Sequence, residues 1–191
     1  MNKNCLLCGV GGQGTLLASK VLGQALVSLG YDVKVREVHG MSQRGGSVVT
    51  YVRYGDEVHS PIVDLGQADY MLAFEPLEAA RYLPYLKKDG VIITNTRETM
   101  PMPVITGAAA YPENIVEKLK ARANVVALDA MQLALEAGNA KAVNMVLMGV
   151  LASRMDLPED VWQAALTKQV PAKFLELNRR AFALGQAQKG V

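Results

Sequence analysis

The chain has 191 residues, half of them hydrophobic and a fifth charged, with a formal net charge of +2 at pH 7. Such a composition excludes a disordered chain and describes one globular domain, residues 1–191, whose core can stand alone. Near-neutral charge, with no basic run interleaved by aromatics, argues against nucleic acid as a partner. Met1 to Asn4 lead into too few apolar residues for a signal peptide, and the longest apolar run, Met145 to Ala152, is far shorter than a bilayer span. A cytoplasmic protein without membrane contact is expected.

Residues 4–10 (NCLLCGV) read as a buried strand, apolar on both faces as in a sheet covered by helices on each side. Residues 14–29 read as a helix. Leu16, Leu17, Val21, Leu22, Ala25, Leu26 and Leu29 recur at helical spacing, and Gly30 supplies a C-terminal stop. A second strand at 31–38 completes a right-handed βαβ unit. Residues 47–54 (SVVTYVRY) form a third. Only His39 to Gly46 separates it from the second, too little chain for a parallel crossover, so it should run antiparallel to a neighbour. A Gly55-Asp56 turn and a short return strand should follow, with Pro61 marking its edge or end. Alternation then resumes: a strand at 69–74, a helix at 75–86, a strand at 90–96, a loop at 98–112, a helix at 113–123 and a strand at 124–130. The remainder reads as helix in three pieces, 130–155, 159–169 and 172–187, punctuated by Pro158 and Pro171. The fold class expected is α/β: a three-layer α/β/α sandwich on a mixed, mainly parallel sheet, with a Rossmann-like start and a helical C-terminal third.

The only cysteines, Cys5 and Cys8, have a CxxC spacing. On a strand, positions three apart point to opposite faces, so the two thiols cannot close on one ion or on each other. Buried, apolar cysteine is the expectation.

Gly9, Gly11 and Gly14 match G-x-G-x-x-G between a strand and a helix. Missing Cβ atoms let a diphosphate approach the backbone, and the helix N-terminus offers free N–H groups and partial positive charge. Gly12 and Gln13 add flexibility and a side-chain amide, and Thr15 can cap the helix or bond a phosphate oxygen. Glu37, at the end of strand two, would complete a nicotinamide fingerprint, although beside Arg36 it reads equally as half of a surface ion pair. Two features oppose a stand-alone NAD dehydrogenase: strand three arrives without a crossover helix, and the only histidines are His39 and His59. A module binding phosphate or a nucleotide, coenzyme A rather than NAD, stays open, as does tight βα packing with nothing bound. The loop "EVHGMSQRGGSV" contributes Ser42, Arg44, Gly45, Gly46 and Ser47. Its glycines permit positive φ, and Arg44 can reach a phosphate or carboxylate. If strands one and two are adjacent and parallel, this loop and the glycine turn face one crevice. Glu75 lies at a strand end on the same edge and reads either as a ligand contact or as an acid complementing a helix dipole. Asn144 is the one strongly polar side chain of an apolar helical run and must find a partner if buried. No catalytic residue and no metal ligand is assigned.

Together, "GVGGQG", "HGMSQRGGSV", "ADYMLAFEPLEA" and "NMVLMG" occur in order across about residues 5–185. In this the chain resembles the gamma domain of 2-oxoacid:ferredoxin oxidoreductases, in particular the beta subunits of indolepyruvate ferredoxin oxidoreductases. The resemblance implies an accessory subunit of a hetero-oligomer. A large alpha-type partner would carry thiamine diphosphate, magnesium and iron–sulfur clusters, decarboxylate an aryl 2-oxoacid, pass electrons to ferredoxin and form an acyl-coenzyme A. The chain lacks the thiamine-binding stretch and the cluster cysteines, so it should be inactive alone. A contact with coenzyme A belongs at the glycine turn. In isolation, a face made for a partner can also pair with itself.

Overall fold

The structure is a computed structural model that describes residues 2–41 and 45–188. Ser42 and Arg44, both candidate site residues, lie outside the described residues. Six strands, β1 (Lys3–Val10), β2 (Asp32–His39), β3 (Ser47–Gly55), β4 (Ala68–Ala73), β5 (Leu86–Asn95) and β6 (Asn124–Leu128), form one sheet. Their order is β2-β3-β1-β4-β5-β6. The helices are α1 (Thr15–Ser28), α2 (Pro76–Tyr82), α3 (Met102–Ile105), α4 (Ile115–Lys120), α5 (Ala130–Ala137), α6 (Val143–Ala152), α7 (Glu159–Gln169) and α8 (Leu175–Gln186).

β3 pairs antiparallel with both β1 and β2, while the β1–β4, β4–β5 and β5–β6 pairs are parallel. The antiparallel third strand is as expected, but strands one and two are not neighbours. β3 turns back from β2 and takes the slot between them. Composition explains the choice. SVVTYVRYG is rich in β-branched and aromatic residues and is buried along most of its length, which suits an interior strand. DVKVREVH carries charged residues and stays largely half-buried or exposed, which suits an edge.

The two faces of the sheet bury different cores. Cys5, Leu7, Val52, Leu72 and Ile93 pack with α1 and α5–α8 on one side, and Leu6, Cys8, Val49, Met71 and Ile92 pack with α2 and α4 on the other. Cys5 and Cys8 therefore sit in opposite cores, both fully buried. Burial pushes both thiols well above their ordinary range, aided by the nearby Asp69 charge at Cys5 and by Glu78 and Glu75 at Cys8.

Other departures from the sequence reading have local causes. No strand forms in 56–67. There Val58 N–H donates to Asp32 at 2.9 Å, and Arg53 donates to the Ile62 carbonyl at 2.8 Å, so side chains satisfy the segment's backbone. α2 ends at Tyr82 because Pro84 cannot continue an α-helix, and a 3-10 turn, Leu83–Tyr85, leads into β5. The run expected as one helix over 130–155 breaks at Gly138, where φ is 121°, and resumes after a 3-10 turn, Ala140–Ala142. α1 closes as expected: Gly30 N–H donates to Val27 and Tyr31 N–H to Leu26, a Schellman end with Gly30 left-handed at φ 85°. Gly149 lets α8 pack closely against α6. A Cβ there would stand 2.0 Å from the Phe182 carbonyl oxygen, and one on Gly185 would stand 2.0 Å from that of Val146. α6 and α8 thus meet backbone to backbone.

Candidate functional site

The turn after β1 is held on every side. Gly11 N–H donates to the Gly46 carbonyl at 2.8 Å, and Gly45 N–H donates back to Gly11 at 3.4 Å, so the β1–β3 pairing carries on past the end of both strands. The glycine turn and the start of β3 are therefore brought together, as anticipated, but through β3 rather than through adjacency of β1 and β2. Gln13 folds back: its Oε1 accepts from Val10 N–H at 2.7 Å, and its Nε2 lies 3.5 Å from Thr99 Oγ1. Gly9 serves packing, since a Cβ there would stand 2.7 Å from Gln13 and 2.9 Å from Phe74. Gly12 differs. It is left-handed, φ 100°, and an added Cβ would meet nothing within 4 Å. Gly14 is left-handed at φ 86° and is itself the N-cap of α1, so Thr15 is the first helical residue rather than the cap. With no side-chain cap, the first N–H groups of α1 are left for solvent or a ligand.

Two clefts flank this turn. The first, about 410 Å³, is lined by Gly11, Gly12, Gly14, Thr15, Leu16, Glu37, His39 and Val48. Glu37 does reach it, accepting a hydrogen bond from Thr50 at 3.3 Å. With β3 interposed, however, Glu37 stands two strand spacings from β1, about 10 Å, instead of one as in a dinucleotide fingerprint. The second cleft, about 400 Å³, is lined by Gly12, Gln13, Gly14, Phe74, Asn95, Arg97, Thr99, Met131, Ala140, Lys141 and Val143. It lies beyond the C-terminal ends of β1, β4 and β5. α1, which follows β1, covers one face of the sheet, and α2, which follows β4, covers the other. The cleft is thus at the switch point where α/β sheets bind ligands.

Glu75 takes the second of its two sequence readings. It is 1% exposed and lines neither cleft. As N-cap of α2, its carboxylate accepts from Glu78 N–H at 3.0 Å, from Thr99 N–H at 3.3 Å and from the Tyr111 hydroxyl. Its oxygens are committed to the fold, which corrects the expectation of a ligand contact there. Burial and the hydrogen bond to Glu75 push the Tyr111 phenol well above its ordinary range. Ser47 is likewise occupied, donating to buried Glu78, which also accepts from Arg81 at 3.2 Å. Asn144 finds its partner in the turn, donating to the Gly14 carbonyl at 3.3 Å. Sequence reasoning missed Asn95, Arg97 and Lys141. Nothing in their local patterns marks them, and only the topology gathers them.

The architecture defines an α/β chain whose glycine turn borders two clefts, one of them at a sheet switch point. Residues 4–188 match the model of the pyruvate ferredoxin/flavodoxin oxidoreductase family, and the chain belongs to that family. It is 46% identical to the indolepyruvate oxidoreductase subunit IorB of Thermococcus kodakarensis over 189 residues, 95% of this chain and 93% of that one. The keto/oxoacid ferredoxin oxidoreductase gamma subunit of Geobacter sulfurreducens has the same fold, with a TM-score of 0.73, 23% identity and 98% of each chain covered. A 2-oxoglutarate:ferredoxin oxidoreductase of Magnetococcus marinus, solved with 2-oxoglutarate, coenzyme A and succinyl-CoA bound, matches 98% of this chain but only 31% of its own, with a TM-score of 0.67 and 16% identity.

Proposed function

We propose that the chain is the accessory subunit of an indolepyruvate or related aryl 2-oxoacid:ferredoxin oxidoreductase, and that its glycine turn contacts the phosphates of coenzyme A. The full-length likeness to an indolepyruvate oxidoreductase subunit carries the first part. The second rests on the open, uncapped start of α1 beside Gly12 and Gly14. A large partner would supply thiamine diphosphate, magnesium and iron–sulfur clusters, and with them the decarboxylation and the electrons for ferredoxin. This chain would bind and orient. Gly12, with no side chain, leaves room for a phosphate against the backbone, while Gln13 and Asn144 keep the turn in shape. The exposed apolar side chains Leu16, Val38 and Met41, on the turn's edge of the sheet, suit a surface covered by the partner. No helix among the described residues is long and apolar enough to cross a membrane, and a cytoplasmic complex fits this reading.

Co-expression with a large thiamine- and cluster-bearing subunit tests the assignment. The two chains should co-purify in a fixed ratio. Separate elution would remove the proposal.

A further inference from the structure

A separate set of polar groups converges at the opposite edge of the sheet. Lys3 opens β1, Tyr54 lies near the end of the antiparallel β3, and Tyr70 lies near the start of β4, so all three stand at the edge away from the glycine turn. Lys3 to Val10 spans roughly 23 Å of strand, so no small ligand reaches both edges. A pocket of about 220 Å³ opens there. Tyr31, Tyr54, Tyr70, Met155 and Leu157 line its walls, and Lys3 and Asp156 are the charged residues among its lining. Tyr54 is 5% exposed, and its hydroxyl makes no hydrogen bond among the described residues. The Tyr70 hydroxyl, by contrast, donates to the Arg154 carbonyl at 3.1 Å. A buried hydroxyl ordinarily finds a partner, so the Tyr54 donor is left for whatever enters the pocket. Burial pushes its phenol well above the ordinary range, which keeps the proton in place. Lys3 stands directly opposite Tyr54 in the β1–β3 register, so the two side chains leave the same face of the sheet. Neither Lys3 nor Asp156 forms an ion pair among the described residues. Tyr31 packs edge-on to Tyr54 with ring centroids 5.5 Å apart, and Met155 is buried in the same wall.

We propose that this pocket binds an α-amino acid with an aromatic side chain, its carboxylate received by the Tyr54 hydroxyl and Lys3 and its ammonium by Asp156. Unpaired charges of both signs in one pocket suit a zwitterion rather than an anion or a cation alone. The rings of Tyr31, Tyr54 and Tyr70, with the Met155 thioether, suit an aromatic group, because rings pair edge-on with one another and with sulfur. The volume is smaller than that of drug-sized sites, which matches a ligand of amino-acid size. Held a strand's length from the glycine turn, this ligand is a separate occupant of the chain, compatible with anything bound at the turn.

Titration calorimetry on the full chain tests this with L-phenylalanine and two analogues that each lack one charge, 3-phenylpropionate and phenethylamine. L-Phenylalanine should bind. Phenethylamine, without the carboxylate, should bind about tenfold more weakly or worse, as expected for the loss of a charge-assisted hydrogen bond. The propionate, without the ammonium, should bind about two- to fivefold more weakly, because the Asp156 carboxylate is exposed. Tyr54→Phe should weaken L-phenylalanine about tenfold and leave the melting temperature unchanged or higher, because the hydroxyl it removes bonds nothing in the fold. Asp156→Asn should weaken L-phenylalanine and leave the propionate unchanged. No binding of L-phenylalanine by the parent chain, equal binding of all three probes, or unchanged affinity in Tyr54→Phe would each overturn the site. A melting temperature lowered by Tyr54→Phe would show the hydroxyl to be bonded within the fold and would overturn it too. Equal losses of L-phenylalanine and the propionate in Asp156→Asn would overturn the ammonium contact. These outcomes need no second chain, so they are separate from co-purification with a large subunit.

Discussion

Asn144 Nδ2 donates to the Gly14 carbonyl at 3.3 Å, and a Cβ on Gly14 would stand 2.6 Å from the same nitrogen. Asn144 belongs to α6, a helix buried along nearly its whole length. The shape of the glycine turn is therefore set by the core. Gly14→Ala combines a left-handed backbone with a clash and should cost roughly 2–5 kcal/mol. Gly12→Ala has the strain without the clash and should cost about 1–2 kcal/mol, while its methyl group adds bulk in open space at a residue that borders both clefts. Urea unfolding should rank Gly14→Ala as the more damaging, and nucleotide titration should show Gly12→Ala losing affinity while it stays folded. The reverse stability order would contradict this reading of the turn.

The contact between α6 and α8 rests on Gly149 and Gly185. Alanine at either position drives a methyl group into a facing backbone carbonyl, which no rotamer change relieves. Each substitution should destabilise by roughly 1–3 kcal/mol or more. Adding the second alanine should cost less than the first, because the helices have already parted. Additive losses would mean that the two sites do not share one contact.

Glu75 joins α2 to the loop after β5 and to Tyr111. Glu75→Gln sets an amide donor against backbone N–H donors and should cost about 1–3 kcal/mol. Tyr111→Phe removes one donor of three and should cost less. If Glu75→Gln kept full stability but lost nucleotide binding, Glu75 would be a ligand contact after all.

Alkali should unfold the chain through groups held neutral in its core. Burial raises the Tyr51 phenol from 10.0 to about 12, raises Tyr70 and Tyr82 as well, and lifts Cys5 and Cys8 above 9.0. For each, the folded pKa exceeds the unfolded one. The stabilisation is complete below the unfolded value and is lost as pH rises through the folded one. Urea midpoints should hold up to about pH 8 and fall steadily from about pH 9 to 12. In the same range a thiol reagent should label Cys5 and Cys8 no faster than the chain opens. Rapid labelling at neutral pH would contradict their burial in opposite cores.

The sequence disclosed those features that depend on neighbours along the chain. The strand–turn–helix at Gly9–Gly14, the opposed cysteines and the antiparallel third strand all follow from local period or connection length. Long-range placement was not legible. Nothing short of the pairing itself shows β3 between β1 and β2, because a hairpin can lie on either side of its partner. Arg97 and Lys141 are far apart in the chain and line one crevice only because β5 ends and the turn before α6 begins there. Glu75 was ambiguous for a related reason: a carboxylate at a strand end caps the next helix or faces a ligand, and Tyr111 and Thr99, distant in sequence, decide which.

The central claim is that this chain is one part of an oxidoreductase whose chemistry resides in another. The most direct measurement is ferredoxin reduction by a large thiamine- and cluster-bearing subunit, supplied with indolepyruvate and coenzyme A, with and without this chain. The account predicts no turnover by this chain alone and turnover that rises with its addition until the two chains reach a fixed ratio. Ferredoxin reduction that is unchanged by adding the chain, at any ratio, would contradict it.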